Sequence, residues 1–299
     1  MPRIRYLAML CADPAGLAGF YRDCFGLEEM GRTDAGDLTL TDGGFNITLF
    51  KQRPQLHEPR MERGLHHLGI AVESLEETLA RYRAFDPRGV IIAESGDLQH
   101  GEVRIHDPEC HPVSLSQRHF GLDGASGAIP RIAHIALNAL DTERVRDFYA
   151  QVFGFRELFE AHRESMKRPG YRNKHVGDGF SNVAIQAFYN DEVGHEARFG
   201  IAHFGILVGD SKAKADEVGH EARFGIAHFG FLVDSSAAMA EVVTRAGATV
   251  KARPAHRTQS EIRMRDPEGN GCDLSQRGWE VDSGGRMTAN RGGTTGGNG

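Results

Sequence analysis

Apolar and polar positions along the chain fall into a unit that recurs. Arg3-Ile4-Arg5-Tyr6-Leu7-Ala8 opens as a strand-like run, and an amphipathic stretch from Gly16 to Phe25 follows and closes on Phe25-Gly26. Arg131-Ile132-Ala133-His134-Ile135-Ala136 opens the same succession, with an amphipathic stretch from Thr142 to Phe153 closing on Phe153-Gly154. Phe20-Tyr21 and Phe148-Tyr149 stand at matching places in the two stretches. A strand-like run that gives way to helical period and stops at glycine predicts strand, then helix.

The two halves also end alike. Asp107-Pro108-Glu109 and Asp266-Pro267-Glu268 are turn openers, each followed by residues that alternate like a final strand and run into Leu-Ser-Gln-Arg. Inside each half lies a second strand–helix unit. One begins at Leu65-His66-His67-Leu68, with a helix predicted near Leu75 to Phe85. The other begins at Ile226-Ala227-His228-Phe229, with a helix near Ser236 to Ala246. Repeats of this kind predict an α+β protein of four βαβββ modules, paired into two domains with curved, mixed but mostly antiparallel sheets. The expected divisions are a first domain at 1–118, a Gly/Ala-rich linker at 119–130 and a second domain at 131–282. A Gly/Thr/Asn-rich tail without fixed structure is expected at 283–299.

A nearer repeat needs its own explanation. DEVGHEARFGIAHFG at 191–205 recurs unchanged at 216–230, offset by 25 residues, so two strands compete for one place in the sheet. Removing 25 residues restores the spacings of the first half, which reads as a tandem duplication. Extra length loops out more easily between modules than between a strand and the helix packed on it. His228 is therefore the expected copy in the sheet, with His203 as the alternative.

Comparing the modules at two positions locates the candidate chemistry. The first-strand positions are Tyr6, His67, His134 and His228 (or His203); the last-strand positions are Thr48, Ser114, Ala184 and Asp273. The second half thus offers two imidazoles and one carboxylate, with Ala184 at the fourth place. Such a set leaves coordination positions open and suits Fe(II), with Mn or Zn as other divalent occupants. The first half has no carboxylate among its four positions, and no metal is expected there. Weaker candidates are His175, His256 and Tyr189 for proton transfer, and Asn182, Arg263 and Phe188 for substrate contact.

Composition narrows the partners. The 299 residues carry a formal net charge of −6 at pH 7, which argues against binding nucleic acid by charge. No apolar run reaches the length of a membrane span, and no signal-peptide pattern opens the chain. Four scattered cysteines without a CxxC pair read as reduced thiols of a cytoplasmic protein. No phosphate-cradling glycine loop is present. An exposed sheet edge would make a homodimer reasonable.

The His-bearing first strands, the helices ending Phe-Gly and the Asp-Pro-Glu-Gly-Asn turn at 266–270 resemble the vicinal oxygen chelate superfamily. That superfamily includes glyoxalases, bleomycin-resistance proteins, epimerases and extradiol ring-cleaving dioxygenases. The resemblance covers nearly residues 3–280, and the two-domain dioxygenases resemble this arrangement best. It implies metal ligands in the C-terminal domain alone, at His134, His228 and Asp273. It further implies Fe(II), a catechol-like substrate and dioxygen. The match departs at three places: Asp273 stands where those dioxygenases usually have Glu, Asn182 near their acid–base His, and Arg263 near their Tyr. Two other functions stay open. One is a lyase or epimerase that stabilises an enolate on Mn, Ni or Zn; the other is a metal-free small-molecule-binding protein.

Overall fold

The computed structural model describes residues 1–53, 63–94, 101–123, 129–158, 173–187, 225–253, 260–281 and 287–288. The first half contributes strands β1 (Arg3–Cys11), β2 (Glu28–Arg32), β3 (Leu38–Thr41), β4 (Asn46–Lys51) and β5 (Gly64–Ala71). Strands β6 (Ile92–Ala93), β7 (Val103–His106) and β8 (Pro112–Ser116) complete its sheet. The second half supplies β9 (Arg131–Ala139), β10 (Arg156–Leu158), β11 (Lys174–Gly177), β12 (Asn182–Ala187) and β13 (Gly225–Leu232). Its sheet ends with β14 (Thr249–Ala252), β15 (Ile262–Arg265) and β16 (Gly271–Ser275).

Each half forms one open eight-stranded sheet with the same order, β2-β3-β4-β1-β5-β8-β7-β6 and β10-β11-β12-β9-β13-β16-β15-β14. In each, the two module-closing strands pair in parallel with an opening strand, and the other neighbours are antiparallel. The two halves are therefore built to one plan, as the repeats predict.

Four helices are seen among the described residues: α1 (Pro14–Phe25), α2 (Leu75–Phe85), α3 (Thr142–Phe153) and α4 (Ser236–Arg245). Each starts at a side-chain cap. Asp13 and Asp141 accept from backbone N–H groups three residues on, both at 3.0 Å, and Ser74 and Ser235 do the same at 3.2 Å. The first helix begins two residues before the expected Gly16, because proline at its first position needs no N–H partner. Gly26 and Gly154 end α1 and α3 at φ 71° and 73°, a left-handed cap that a side chain would strain. None of the described helices is long and apolar enough to cross a membrane.

One apolar core runs through both halves. Across the boundary, Phe25 stacks on Phe231 at 3.8 Å between ring centres, and Tyr21 donates to the buried Asp266 carboxylate at 2.6 Å. The repeated Asp-Pro-Glu turn joins the halves reciprocally. Glu268 accepts from the backbone N–H groups of Ala12 and Asp13 at 2.8 and 2.7 Å. Glu109 accepts from Leu140 and Asp141 at 2.8 and 2.5 Å. Each turn thus satisfies donors just ahead of the other half's first helix.

At the expected linker, His119–Gly121 forms a short 3-10 turn, and Phe120 is fully buried against Tyr6 with ring centres 4.8 Å apart. Residue 120 belongs to the packing of the first sheet. Of the tail, Met287–Thr288 pairs with Glu280–Val281, and the other residues of 283–299 lie outside the described residues.

Candidate functional site

The site is assembled by one row of residues across the second sheet. Gly177, Asn182, His134, Gly230, Asp273, Arg263 and Lys251 are successive cross-strand partners on β11, β12, β9, β13, β16, β15 and β14. Direct partners share a face, and His228, two residues before Gly230, shares it too. The β13 copy at 225–232 therefore brings His228 to the row, while His203 and the first copy, 191–205, lie outside the described residues.

Gly230 is the position that leaves the centre of the row open. A side chain there would meet the Trp279 ring at 2.7 Å. Trp279 lies instead over His134, ring centres 4.7 Å apart and planes within 5°. The first sheet repeats the device, with Gly69 between Tyr6 and Ser114 and Phe120 lying over Tyr6.

Two imidazoles and a carboxylate meet on this face, all nearly inaccessible to solvent. His134 Nε2 is 3.3 Å from His228 Nε2, and His228 Nε2 is 3.4 Å from Asp273 Oδ2. Burial, the charge of His228 and further charges push His134 down to about 3; burial and Arg263 push His228 down to about 4. Both rings are neutral near neutral pH. Asn182 selects the tautomer of His134. Its amide nitrogen donates to the Trp279 carbonyl at 3.2 Å, which turns its oxygen to His134 Nδ1 at 2.5 Å. The proton then sits on Nδ1, and the lone pair of Nε2 faces His228.

Asp273 carries the densest network. Burial alone would raise its carboxyl; Arg263, His228 and Arg253 outweigh burial and hold it well below the usual range. Arg263 grips both oxygens, Nε on Oδ1 and Nη2 on Oδ2, the latter at 3.2 Å. Arg253 and Ser260 donate to Oδ2 at 2.7 and 2.9 Å. Arg263 Nη2 also stands 3.3 Å from His228 Nε2. Two guanidinium groups, those of Arg253 and Arg263, thus converge on this one carboxylate.

The donor chemistry fits a divalent cation. Bonds of roughly 2.0–2.2 Å place neighbouring ligand atoms about 3 Å apart, near the separations seen here, and ligation needs neutral imidazole with a free lone pair. Among the described residues no three His, Cys, Asp or Glu side chains yet surround a common point. There Asp273 is bound by Arg263.

The weaker sequence candidates divide. His175 lies on β11, opposite Ala184, and burial followed by the charge of His134 pushes it down to about 3. Asn182, expected to touch substrate, has its amide oxygen at His134 Nδ1 and its amide nitrogen on the Trp279 carbonyl. Arg263, also expected to touch substrate, is bound to Asp273, the acid it faces across β15 and β16. His256, Tyr189 and Phe188 lie outside the described residues. Sequence reading passed over Arg253, Ser260 and Trp279. Trp279 had a signal: Leu115-Ser116-Gln117-Arg118 and Leu274-Ser275-Gln276-Arg277 are each followed two residues on by an aromatic, Phe120 and Trp279.

The corresponding row of the first sheet is chemically different. It holds Tyr6 in place of His134 and Ser114 in place of Asp273. Its arginine, Arg104, pairs with Glu94 and stands 3.4 Å from His67 Nε2.

A protein-family model described as the Glyoxalase/Bleomycin resistance protein/Dioxygenase superfamily matches residues 3–114 and 131–274, and the chain belongs to that superfamily. No curated protein matches it. Among solved structures, it is similar to the 2,3-dioxygenase LapB from Pseudomonas sp. KL28, at 16% identity and TM-score 0.61, over 91% of each chain. It is also similar to a variant of homoprotocatechuate 2,3-dioxygenase from B. fuscum, at 14% and 0.60, over 94% of this chain and 72% of that one. A mutant 4-hydroxymandelate synthase from Streptomyces coelicolor matches at 13% and 0.58, over 97% of each. At identities this low the likeness shows the shared fold alone.

Proposed function

We propose that the second domain binds a divalent metal, Fe(II) foremost, through His134, His228 and Asp273. In this reading the protein is an extradiol-type dioxygenase that cleaves the ring of a catechol-like substrate bearing an anionic group. The observation that carries it is the meeting of two neutral imidazoles and one ionised carboxylate at 3.3 and 3.4 Å, with Ala184 unable to add a fourth ligand. The dioxygenase neighbours support it at the level of the fold.

Iron(II) held there would lower the pKa of a vicinal diol and bring dioxygen to it. The rest falls to the chain's own side chains. Asn182 keeps the His134 lone pair directed at the site, and Trp279 covers the His134 ring against water. Arg253 and Arg263 place two guanidinium groups beside these ligands, a setting that suits a substrate carrying a carboxylate or comparable anion.

A second reading, a lyase or epimerase acting through an enolate on Mn, Ni or Zn, is favoured by Asn182. An amide committed to His134 and Trp279 moves no proton, so the oxygenase would have to find its acid elsewhere.

Oxygen uptake by anaerobically Fe(II)-loaded protein, given catechols with and without a carboxylate side chain, separates the readings. Uptake with ring-opened product, greater for the carboxylated catechols, is expected. No uptake with any catechol overturns the dioxygenase; turnover that persists without oxygen on Mn or Ni assigns the second reading.

A further inference from the structure

We infer that Arg263 is an internal counter-cation that competes with the metal for Asp273, so that loading the site requires this guanidinium to let go. The inference rests on the metal reading above and adds a second occupant for the same carboxylate.

Three observations carry it. Arg263 and Asp273 are direct cross-strand partners, so the fold itself delivers the guanidinium to this acid. Arg263 engages both carboxylate oxygens, and its Nη2 also lies 3.3 Å from His228 Nε2, which puts positive charge against two of the three donor groups. A divalent ion brought to those donors meets that charge at close range in a buried setting, where Coulomb repulsion is poorly screened. Arg253 and Ser260 approach Oδ2 independently, so Asp273 keeps hydrogen bonds when Arg263 leaves.

The first sheet shows that an arginine in this place can take another partner. Arg104 occupies the position of Arg263, across from Ser114, and its guanidinium pairs with Glu94 on the segment after β6. The direction taken by the guanidinium thus follows the available carboxylate. In the second sheet the position equivalent to Glu94 is Arg253, which offers no acid, and Asp273 becomes the partner. Once displaced, the Arg263 guanidinium is free to pair with an anion on the substrate, which would couple metal loading to substrate binding.

The test is Mn(II) affinity of the full chain, read by quenching of Trp279, the one tryptophan in the sequence. Wild type is compared with Arg263→Gln, which removes the charge, and Arg263→Lys, which keeps a charge but cannot bridge both oxygens. Arg263→Gln is expected to bind Mn(II) more tightly than wild type, on the order of ten-fold, with Arg263→Lys in between. Should Arg263→Gln fail to fold, the order of Lys and wild type decides. Equal or weaker binding by the variants, with wild type binding, overturns the competition and leaves the metal site standing. Absence of Mn(II) binding in every form overturns both.

Discussion

Asn182 and His134 face each other on neighbouring strands, and the Asn182 amide oxygen meets His134 Nδ1 at 2.5 Å. The amide cannot rotate freely, because its nitrogen is committed to the Trp279 carbonyl. A histidine with its proton held on Nδ1 presents a lone pair on Nε2, and partners behind a metal ligand commonly set its affinity. Asn182→Ala is expected to lower Mn(II) affinity by about 10- to 100-fold. The fold should survive, since no apolar core contact is removed. A titration with unchanged affinity would show that Asn182 does not orient the ligand.

Buried neutral histidines make the fold sensitive to acid. His134 and His175 are pushed down to about 3, and His66 and His228 to about 4, in each case mainly by burial. In the unfolded chain these rings titrate near 6.5. Their contribution is therefore fully present above about pH 6.5 and is lost as pH falls toward 3–4, where the unfolded chain takes up protons that the folded one refuses. Each ring contributes a slope of up to about 1.4 kcal/mol per pH unit in that window. His111 opposes this: although burial lowers it, Asp107 raises it on balance, so its contribution is lost as pH rises. His106, also lowered mainly by burial, adds to the first group, and five rings against one predict that the urea midpoint drops between pH 7 and pH 5. A midpoint constant over that range would contradict the burial of these rings.

Gly230 is held to glycine by the ring above it. A methyl group there would meet Trp279 at 2.7 Å and the Asp273 carbonyl at 3.2 Å. Gly230→Ala is expected to cost about 1–3 kcal/mol and to tilt Trp279 off His134. Chemical denaturation measures the first effect, and the emission maximum of the single tryptophan, shifted to the red, reports the second. Wild-type stability with an unmoved maximum would show that the space above Gly230 is not filled by Trp279.

Tyr21 ties the halves together through its bond to Asp266. Tyr21→Phe keeps the ring contacts with Phe229 and Phe231 but leaves a buried carboxylate short of one donor. A loss of about 1–3 kcal/mol is expected, seen as a lower denaturation midpoint in a single transition. Two separate transitions in the wild-type protein would contradict a core shared by both halves.

Much of this architecture was legible in the chain. Strand runs, capping Asp and Ser residues and Phe-Gly helix ends are local signals, and they placed the four modules and the helices to within two residues. The row positions of His134, His228 and Asp273 were legible because repeats align equivalent strand residues. The partners of Asp273 were not. Arg253 sits just past a strand and Ser260 just before one, where alternation no longer says which way a side chain turns. The same limit applies to Asn182, whose contact is decided by the carbonyl of Trp279, 97 residues away. The interdomain role of Glu109 and Glu268 was hidden for a related reason, since a turn motif does not say which half it docks against.

The most direct measurement is the metal content of protein loaded anaerobically with Fe(II) and then desalted, compared among wild type, His134→Ala, His228→Ala, His203→Ala and Asp273→Ala. Wild type and His203→Ala are expected to retain roughly one ion per chain, and the other three to retain almost none. Wild-type protein that keeps no metal, or a His228→Ala protein that keeps as much as wild type, would contradict the assignment of these side chains as ligands.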